Sequence, residues 1–530
     1  MPRFLTLILI LSLLTSCAPA SSGSGLPFSL PAIIGAGATL PWWRDAVFYE
    51  IFVRSFNDTN GDGIGDFNGI TQKLDYLQSL GVTALWLMPI HPSPSYHGYD
   101  VLNYYAVNPQ YGTLDDFKRL LSEAHSRGMK VIIDLVLNHT SSQHPWFIDA
   151  NSSPQSPYRD WYLWSSEYPG NHWYAGKSGY YYGFFWSEMP DLNYNNPAVT
   201  AQMEKVSAFW LNEVGVDGFR IDAAKHLVEE GLQLENTASN HAWLSGYYAA
   251  VKKYQPEAYT LGEIYGAGAL VTKIYKNELD HIFNFEISSG AINSALGESN
   301  SGMNSALKFA VKDNPTGDFA TFLSNHDQNR VMSVLNGDVN KAKVAAALLL
   351  TGPGTPFLYY GEEIGMRGKK PDEDIRRPMQ WNADSSAGFS SGVPWQPLQD
   401  DYAKLNVASQ EKDPNSLLNH YRTLLALRKQ HPALRSGSFS VLETDNPSVY
   451  AILRKHTSET LLVLINLSHE PVTHYALGLT TDKLPNGTYQ PETLFGASSA
   501  GTLQVTGKSF QGYIPFAELP PSMIYIFRLK

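Results

Sequence analysis

The stretch VIIDLVLNH, residues 131–139, shows the pattern that decides the fold. An apolar run rich in β-branched residues ends in the polar pair Asn138 and His139, and a segment with helical apolar spacing, residues 114–127, precedes it. From Trp42 onward the chain repeats this order of apolar run, polar loop and amphipathic helix. Strands that alternate with helices pair in parallel, so the sequence predicts a (β/α)8 TIM barrel, with a doubly wound open sheet as the alternative.

Apolar runs along the chain are the candidate barrel strands, and amphipathic segments lie between them. Ile70, Leu74, Leu77 and Leu80 are three or four positions apart, as the buried face of a helix requires, and residues 198–213 show the same spacing. The eight candidate strands are residues 47–56, 84–90, 131–137, 218–224, 259–265, 281–287, 319–325 and 357–362.

Two departures from this alternation indicate further domains. Residues 140–197 are rich in Trp, Tyr, Pro, Ser and Gly and are too many for a structureless loop, so they predict an inserted subdomain after the third strand. After about residue 435, short apolar runs separated by turn residues predict a C-terminal antiparallel β-sandwich domain. We therefore expect the barrel over residues 41–139 and 198–435, the insertion over 140–197 and the sandwich over 436–530.

The first 40 residues have the composition of an export signal followed by a tether. Arg3 precedes an apolar run, residues 4–14, which is too short to span a bilayer comfortably but has the length of a secretory signal. The next residues resemble the bacterial lipoprotein box, in which Cys17 would be lipidated; an ordinary signal peptide with a stray Cys is the alternative. We expect a signal peptide over residues 1–16, a flexible tether over 17–40, and an exported protein held by lipid at the bacterial cell surface or periplasmic face.

Composition excludes several classes of protein. The chain of 530 residues carries a net charge of −11, which argues against binding nucleic acid through its phosphates. Cys17 is the only Cys, so the chain can form neither an intramolecular disulfide nor a Cys-rich zinc site. Aromatic residues make up 12% of the chain, enough for a large core or for surfaces that stack on sugar rings.

Acidic and imidazole side chains cluster at the ends of the candidate strands, where the chemistry of a barrel collects. Arg220 and Asp222 are two positions apart and therefore point to the same side of a strand, where the cation would keep the carboxylate ionised. Glycoside hydrolysis needs one carboxylate as nucleophile and one carboxylic acid as proton donor. Any single acid here could instead cap a turn or face solvent. The strand-end residues are Asp134, Asn138, His139, Arg220, Asp222, Glu263, His326 and Asp327.

The motifs around these residues resemble the main sequence regions of the α-amylase superfamily, glycoside hydrolase family 13. Residues 134–139, 218–226, Glu263 with its neighbours, and 322–327 look like four of those regions, and MPDLN, residues 189–193, looks like a fifth. They occur in the family's order, and the resemblance covers residues 42–530. Within the family, the chain is most similar to the intermediary group between oligo-1,6-glucosidases and neopullulanases, which includes lipid-anchored bacterial α-amylases.

The resemblance implies a role for each matched residue. Asp222 would be the nucleophile, Glu263 the general acid and base, and Asp327 the stabiliser of the distorted transition state. Arg220 would hold Asp222 charged. Family members retain anomeric configuration, which predicts that the Asp222 and Glu263 carboxyls lie about 5–5.5 Å apart. The residues expected to contact the sugar are Tyr99 by stacking, His139 and His326 by hydroxyl binding, and Lys225 and His226 on the leaving-group side.

Two calcium sites are also predicted. Asp58, Asn60, Asp62 and Asp66, with the carbonyl of Ile64, place oxygen ligands at alternate positions, as the start of an EF-hand loop does. Gly69 stands where an EF-hand has Glu, so the loop is not an EF-hand but resembles the first-loop site of the oligo-1,6-glucosidase branch; an acidic solvated turn is the alternative. The resemblance implies a second, less certain Ca2+ site at Asn138, Asp191 and the His226 carbonyl, which could instead cap turns.

The resemblance favours retaining endo-hydrolysis of α-1,4-glucosidic bonds in starch, glycogen or maltooligosaccharides, the α-amylase reaction. The neighbours of the nucleophile, Ala223 and the Lys225–His226 pair, resemble α-amylases rather than enzymes for α-1,6 bonds. An exo-acting α-glucosidase or oligo-1,6-glucosidase and a glucanotransferase remain alternatives with the same site. A non-catalytic glycan-binding lipoprotein is a more remote one. We expect a monomer, because the N-terminal domain of dimeric neopullulanases is not recognisable.

Overall fold

The computed structural model describes residues 40–266, 271–314, 317–480 and 484–530. The predicted signal peptide, Cys17 and almost all of the predicted tether lie outside these residues, so lipidation stays a prediction. No helix within the described ranges is both long and apolar enough to cross a bilayer.

Eight parallel strands form the centre of the fold. They pair in the order β10-β11-β1-β2-β3-β7-β8-β9, and a parallel bridge between Phe283 and Ala320 brings the two end strands together. The barrel is therefore nearly closed, the predicted (β/α)8 TIM barrel is confirmed, and the alternative of an open sheet is wrong. The strands are β1 (Phe48–Ile51), β2 (Ala84–Leu87), β3 (Lys130–Leu135), β7 (Gly218–Ile221), β8 (Tyr259–Gly262), β9 (His281–Ile282), β10 (Ala320–Phe322) and β11 (Thr355–Tyr359).

These strands are shorter than the apolar runs that predicted them. The run 218–224 ends as a strand at Ile221, so Asp222 lies at the beginning of the following loop. The run 281–287 ends at Ile282, because the Asn284 side chain accepts a hydrogen bond from the Ile287 N–H and starts a helix. Asp222 and Glu263 therefore project from the residues that directly follow β7 and β8.

Aromatic side chains fill the inside of the barrel below the site. Phe48, Trp86, Tyr259, Phe283 and Phe357 belong to one buried cluster, in which the rings of Phe48 and Phe357 stack with centroids 4.2 Å apart. This packed layer closes the barrel from beneath, so a ligand can approach only from the carboxyl ends of the strands.

The helices surround the barrel largely as predicted. Ile70, Leu74, Leu77 and Leu80 are all buried, but Lys73 separates two short helices where one was expected. The segment after β3 and the insertion continues from an α-helix into a π-helical turn over Phe209–Val214. The helices are α1 (Phe67–Gln72), α2 (Leu74–Leu80), α3 (Leu114–Ser126), α4 (Pro145–Ser152), α5 (Pro197–Ala208), α6 (Ala238–Tyr254), α7 (Val271–Ile274), α8 (Phe285–Gly297), α9 (Ser301–Asp313), α10 (Val331–Val334), α11 (Val339–Thr351), α12 (Asp372–Ile375), α13 (Val407–Glu411), α14 (Leu417–Gln430) and α15 (Pro432–Arg435).

Residues 140–197, predicted as an inserted subdomain, contain α4 and a small antiparallel sheet in the order β4-β6-β5. Its strands are β4 (Trp164–Ser165), β5 (Trp173–Gly176) and β6 (Gly179–Tyr182). Two antiparallel bridges, between His139 and Asp191 and between Tyr162 and Leu192, join the beginning and the end of the segment. The insertion therefore stands directly beside the end of β3.

The C-terminal region is built from antiparallel sheets. The largest has the order β12-β14-β15-β21-β18, and β13-β16-β20 and β17-β19 form two smaller sheets. Alternate residues of β14 face opposite ways: Tyr450 and Ile452 join the large core of the barrel helices, whereas Val449, Ala451 and Leu453 join a second core. The exact domain boundaries stay predictions. The strands are β12 (Ser438–Val441), β13 (Glu443–Thr444), β14 (Val449–His456), β15 (Glu459–Asn466), β16 (Leu477–Leu479), β17 (Gly487–Tyr489), β18 (Pro491–Phe495), β19 (Leu503–Val505), β20 (Phe510–Tyr513) and β21 (Ile524–Leu529).

Candidate active site

A single buried guanidinium organises three carboxylates at the carboxyl end of the barrel. Arg220 is 1% exposed, and its Nη1 donates to Asp134 Oδ1 at 2.8 Å and to Asp222 Oδ1 at 2.6 Å. Its Nη2 lies 2.8 Å from Glu263 Oε2. The register sets Asp134 directly opposite Arg220 across β3 and β7, which is why these side chains meet. The structure thus brings Arg220, Asp222 and Glu263 together.

His326 is the centre of a second polar group. Its Nδ1 lies 2.6 Å from Glu50 Oε1, and its Nε2 lies 3.2 Å from Asp327 Oδ2 and 2.5 Å from the Tyr99 hydroxyl. That hydroxyl donates to Asp134 Oδ2 at 3.1 Å. Tyr99 therefore joins the two groups into one network that contains all three predicted catalytic acids.

Two members of this network were missed by sequence reasoning. Arg376 is 2% exposed, and it donates from Nη2 to Asp327 Oδ1 at 2.9 Å and from Nε to the His326 carbonyl at 2.9 Å. Glu50 is buried within β1 and pairs with His326. The signal for Glu50 was an acid between apolar residues of a predicted strand. Arg376 directly follows the acidic short helix α12, and no local pattern distinguishes it from its neighbour Arg377.

The electrostatics differentiate Asp222 from Glu263. Burial raises the pKa of both carboxyls, and the charge of Arg220 lowers the pKa of both. Asp222 in addition accepts a hydrogen bond from Arg220, which favours its charged form, whereas the charge of Asp222 raises the pKa of Glu263. The hydrogen bond from Arg220 favours the charged form of Asp222, which is the form that a carboxylate nucleophile needs beside a carboxylic acid donor.

His326 and Asp327 form a charged pair. Burial alone would lower the pKa of His326, but the negative charges of Asp327 and Glu50 outweigh burial and raise it to about 10. Against its own burial, Asp327 has a pKa well below its usual range because of His326 and Arg376. The side chain of Asp327 is nevertheless 44% exposed, so a fixed anion faces the opening of the barrel.

Comparison with known proteins identifies the family. Residues 50–437 match the family model for the α-amylase catalytic domain. The chain belongs to the α-amylase family, glycoside hydrolase family 13. It is 45% identical to alpha-amylase 3 of Dictyoglomus thermophilum over 442 residues, covering 82% of this chain and 86% of that protein. It is 33% identical to an oligo-1,6-glucosidase of Halalkalibacterium halodurans over 512 residues, covering 80% and 90%.

A solved structure supports the same assignment. The crystal structure of an alpha-amylase from H. orenii superposes with a TM-score of 0.80 at 38% identity, and the match covers 92% of this chain and 99% of that one. The chain is therefore an α-amylase-family glycosidase that acts on α-glucans. The resemblance drawn from the motifs is confirmed at the level of the family.

His139 and His326 are both predicted to bind sugar hydroxyls, but the charge of His139 differs from that of His326. It is 1% exposed, burial lowers its pKa to about 4, and its Nε2 has no hydrogen-bond partner among the described residues. The two histidine rings therefore differ in charge, and their binding of sugar hydroxyls stays a prediction. The half-exposed ring of Phe185 contacts His139 at a centroid distance of 5.3 Å.

Lys225 and His226 lie at the edge of this network. Lys225 donates to the Tyr265 carbonyl at 2.6 Å and pairs with Glu235. His226 lies 2.9 Å from the Leu234 carbonyl through Nδ1, and its ring packs on Phe184 at 4.1 Å. Neither hydrogen-bonds to Asp222, Glu263 or Asp327, and the predicted place of this pair on the leaving-group side stays a prediction.

The loop of the first predicted calcium site has the donor set of a hard cation. Asp58 is buried and accepts from the N–H groups of Asn60, Gly61 and Gly63 at 2.8–2.9 Å, while Asp66 caps α1 by accepting from Gly69. The oxygen atoms that would hold Ca2+ belong to Asp58, Asn60, Asp62, Asp66 and the Ile64 carbonyl, which suits calcium chemistry. Within the described ranges, no three His, Cys, Asp or Glu side chains converge as one metal site. The calcium site stays a prediction.

The second predicted calcium site contains one buried acid. Asp191 is 2% exposed; its Oδ1 accepts from the Phe184 N–H at 3.1 Å, and its Oδ2 has no partner among the described residues. Glu229, which sequence reasoning did not single out, adds a half-buried carboxylate that interacts with the Tyr182 hydroxyl. Burial and then the charge of Glu229 raise the pKa of Asp191. A cation held by Asn138, Asp191 and the His226 carbonyl would relieve this cost.

Proposed function

We propose that the protein hydrolyses internal α-1,4-glucosidic bonds of starch, glycogen and maltooligosaccharides with retention of configuration. The observation that carries the proposal is the sharing of Arg220 by Asp222 and Glu263, 2.6 Å and 2.8 Å from its two terminal nitrogens. Two carboxyl groups tied to one guanidinium are close together, as the double-displacement reaction of retaining enzymes requires.

In this proposal Asp222 attacks the anomeric carbon and forms a glucosyl ester. Its Oδ1 is held by Arg220, so the other oxygen is the one available for attack. Glu263 gives its proton to the leaving oxygen and then takes a proton from the water that hydrolyses the ester. The fixed charge of Asp327 binds hydroxyls of the distorted ring, and the ring of Tyr99 stacks beneath it.

Two features support an α-amylase rather than another activity of the family. The 45% identical relative bears that name, and the chain has the Lys225–His226 pair and Ala223 after the nucleophile. The 33% identical relative is an oligo-1,6-glucosidase, so an exo-acting α-glucosidase is the second candidate. The segment 362–366 also resembles that branch; within it, Glu362 and Glu363 are buried and accept hydrogen bonds from Tyr421, Tyr49 and Tyr76.

Product analysis on a maltoheptaoside blocked at its non-reducing end tests the proposal. An endo-acting enzyme cuts the blocked substrate internally, whereas an exo-acting one leaves it intact and cleaves free maltose or isomaltose. A glucanotransferase yields products longer than the substrate. Failure to cleave any of them, with starch still bound, would establish a non-catalytic glycan-binding protein.

We further propose that the enzyme is exported and lipid-anchored through Cys17, and that it acts as a monomer. A signal-like run ends at the chain's single Cys, and a polymeric substrate cannot cross a membrane intact. Detergent-phase partitioning of the cell-expressed protein tests the anchor. Cys17→Ser should move the protein to the aqueous phase, and retention of that variant in the membrane fraction would overturn the assignment.

A further inference from the structure

A cavity of ≈580 Å3 lies outside the catalytic network, between the inserted segment and the loop that follows β7. None of the residues of the Arg220 and His326 groups lines it. A stack of rings separates the two regions: His172 packs on Phe184 at 5.0 Å, and Phe184 packs on His226 at 4.1 Å. His172 lines the cavity, whereas His226 belongs to the edge of the active site. The cavity is thus a separate recess beside the active site.

The lining combines aromatic faces with free polar groups. The rings of Trp173 and Tyr182 meet at 5.4 Å and 56° and form a corner on which a ring with apolar C–H faces can pack. The Asn171 and Asn195 side chains also line the cavity and are exposed there. Tyr182 is 5% exposed, and its hydroxyl interacts with the carboxylate of Glu229, which also lines the cavity. The two amides and this carboxylate supply the donors and acceptors that sugar hydroxyl groups need.

One exposed apolar side chain borders the same recess. Leu232 is 100% exposed at the tip of a tight hairpin closed by hydrogen bonds between Glu230 and Gln233 at 3.0 Å, and it lines the cavity. A fully exposed Leu side chain gains free energy only when something covers it. The volume lies in the range of small-molecule sites.

We propose that this cavity is a second, non-catalytic binding site for α-glucan chains, in which a glucosyl unit stacks on Trp173 and is covered by Leu232. The inference depends on the α-glucan substrate and not on endo-specificity. Only the rings of His172, Phe184 and His226 separate the recess from the edge of the active site. A glucan chain held in the recess therefore remains next to the active site. The site would raise the affinity for polymers without altering the chemistry.

The test uses calorimetric titration of the full-length Asp222→Asn protein with maltoheptaose, which removes turnover. Two binding events are expected. Adding Trp173→Ala should weaken the second by roughly tenfold, and Leu232→Asp should weaken it in the same direction. Tyr168→Ala is the matched control, because Tyr168 is an aromatic of the same insertion that is 60% exposed and does not line the cavity.

Activity separates this inference from the proposed function. With Asp222 intact, Trp173→Ala and Leu232→Asp should keep kcat/KM on a chromogenic maltotrioside within twofold and lose affinity for soluble starch. Leu232→Asp, at a fully exposed position, keeps the test valid even where Trp173→Ala disturbs folding. A single binding event in the Asp222→Asn protein, or Leu232→Asp binding maltoheptaose and starch like its parent, would overturn the second site whatever the products of hydrolysis are.

Discussion

The imidazole of His326 and the carboxylate of Glu50 form an ion pair that is almost wholly buried, with Nδ1 and Oε1 2.6 Å apart. Glu50 is buried within β1, and its carboxylate contacts both the ring and the backbone N–H of His326. The charge on His326, and through it the fixed anion of Asp327, therefore depends on an acid inside the barrel wall.

Replacing Glu50 by Gln should narrow the alkaline side of the pH–activity profile. In the wild type, the charges of Asp327 and Glu50 raise the pKa of His326 to about 10. Loss of one charge lowers that pKa, so His326 loses its proton at a lower pH and activity falls earlier as pH rises. The profile of kcat/KM on a maltooligosaccharide measures the shift. If Glu50→Gln is folded and the alkaline limb of its kcat/KM profile matches that of the wild type, the His326–Glu50 pair has no part in turnover.

The same pair should make stability depend on alkaline pH. Because the pKa of His326 is raised from 6.5 to about 10 in the folded protein, its contribution is complete below about pH 6.5 and declines as pH rises towards 10. Urea denaturation at pH 6.5 and pH 9.5 should show a larger loss of unfolding free energy for the wild type than for Glu50→Gln. Equal losses in the two proteins would contradict the prediction.

Asp222→Asn should abolish turnover without unfolding the protein. The amide cannot form the glucosyl ester, and we expect kcat to fall by roughly 10⁴-fold or more. Asp217→Asn is the matched control: Asp217 lies at the opposite end of β7, pairs with Lys130 and His125, and should lower the melting temperature while kcat stays normal. Near-normal activity of Asp222→Asn would refute its role as nucleophile.

Arg376→Lys should impair the enzyme although it keeps the charge. Arg376 binds Asp327 and the His326 carbonyl with two different nitrogens, and a Lys ammonium at one point cannot reproduce that fork. We expect kcat/KM to fall by about 10–100-fold with little change in melting temperature. Arg377→Lys is the control, since Arg377 pairs with Asp374 instead of Asp327. Equal effects of the two substitutions would remove the argument for Arg376.

Calcium should raise the melting temperature, and removal by a chelator should lower it. A ligand whose free concentration is 100 times its Kd stabilises a folded protein by about 2.7 kcal/mol. Asp62→Asn keeps the turn, because the side-chain oxygen can still accept from the Ile64 N–H, but it removes one negative ligand. It should therefore weaken the response to calcium, whereas Asp115→Asn, an exposed acid outside the loop, should not. No shift on chelation of the wild type would count against both sites.

Local patterns predicted alternating strands and helices with acids at the strand ends, whereas the choice of a closed barrel and the roles of the three acids came from the family resemblance. Apolar runs of strand length recur because each barrel strand is covered on both faces, and the acids follow those runs because strand ends open into the site. Glu50 and Arg376 were not predicted, and each was missed for its own reason. Glu50 looks like an ordinary polar position in a strand until the closed barrel turns it towards His326, and Arg376 reaches Asp327 only because a long loop after β11 returns over the strand ends.

β14 has consequences for how the protein can be engineered. One face of this strand belongs to the core of the barrel helices and the other to the C-terminal core, and Arg454, fully buried on it, donates to the carbonyls of Thr351, Gly352 and Gly437. The region after α15 is therefore not a detachable appendage. A truncated or grafted version that ends near residue 435 would expose apolar helix surface, leave peptide carbonyls unpaired, and be prone to aggregate.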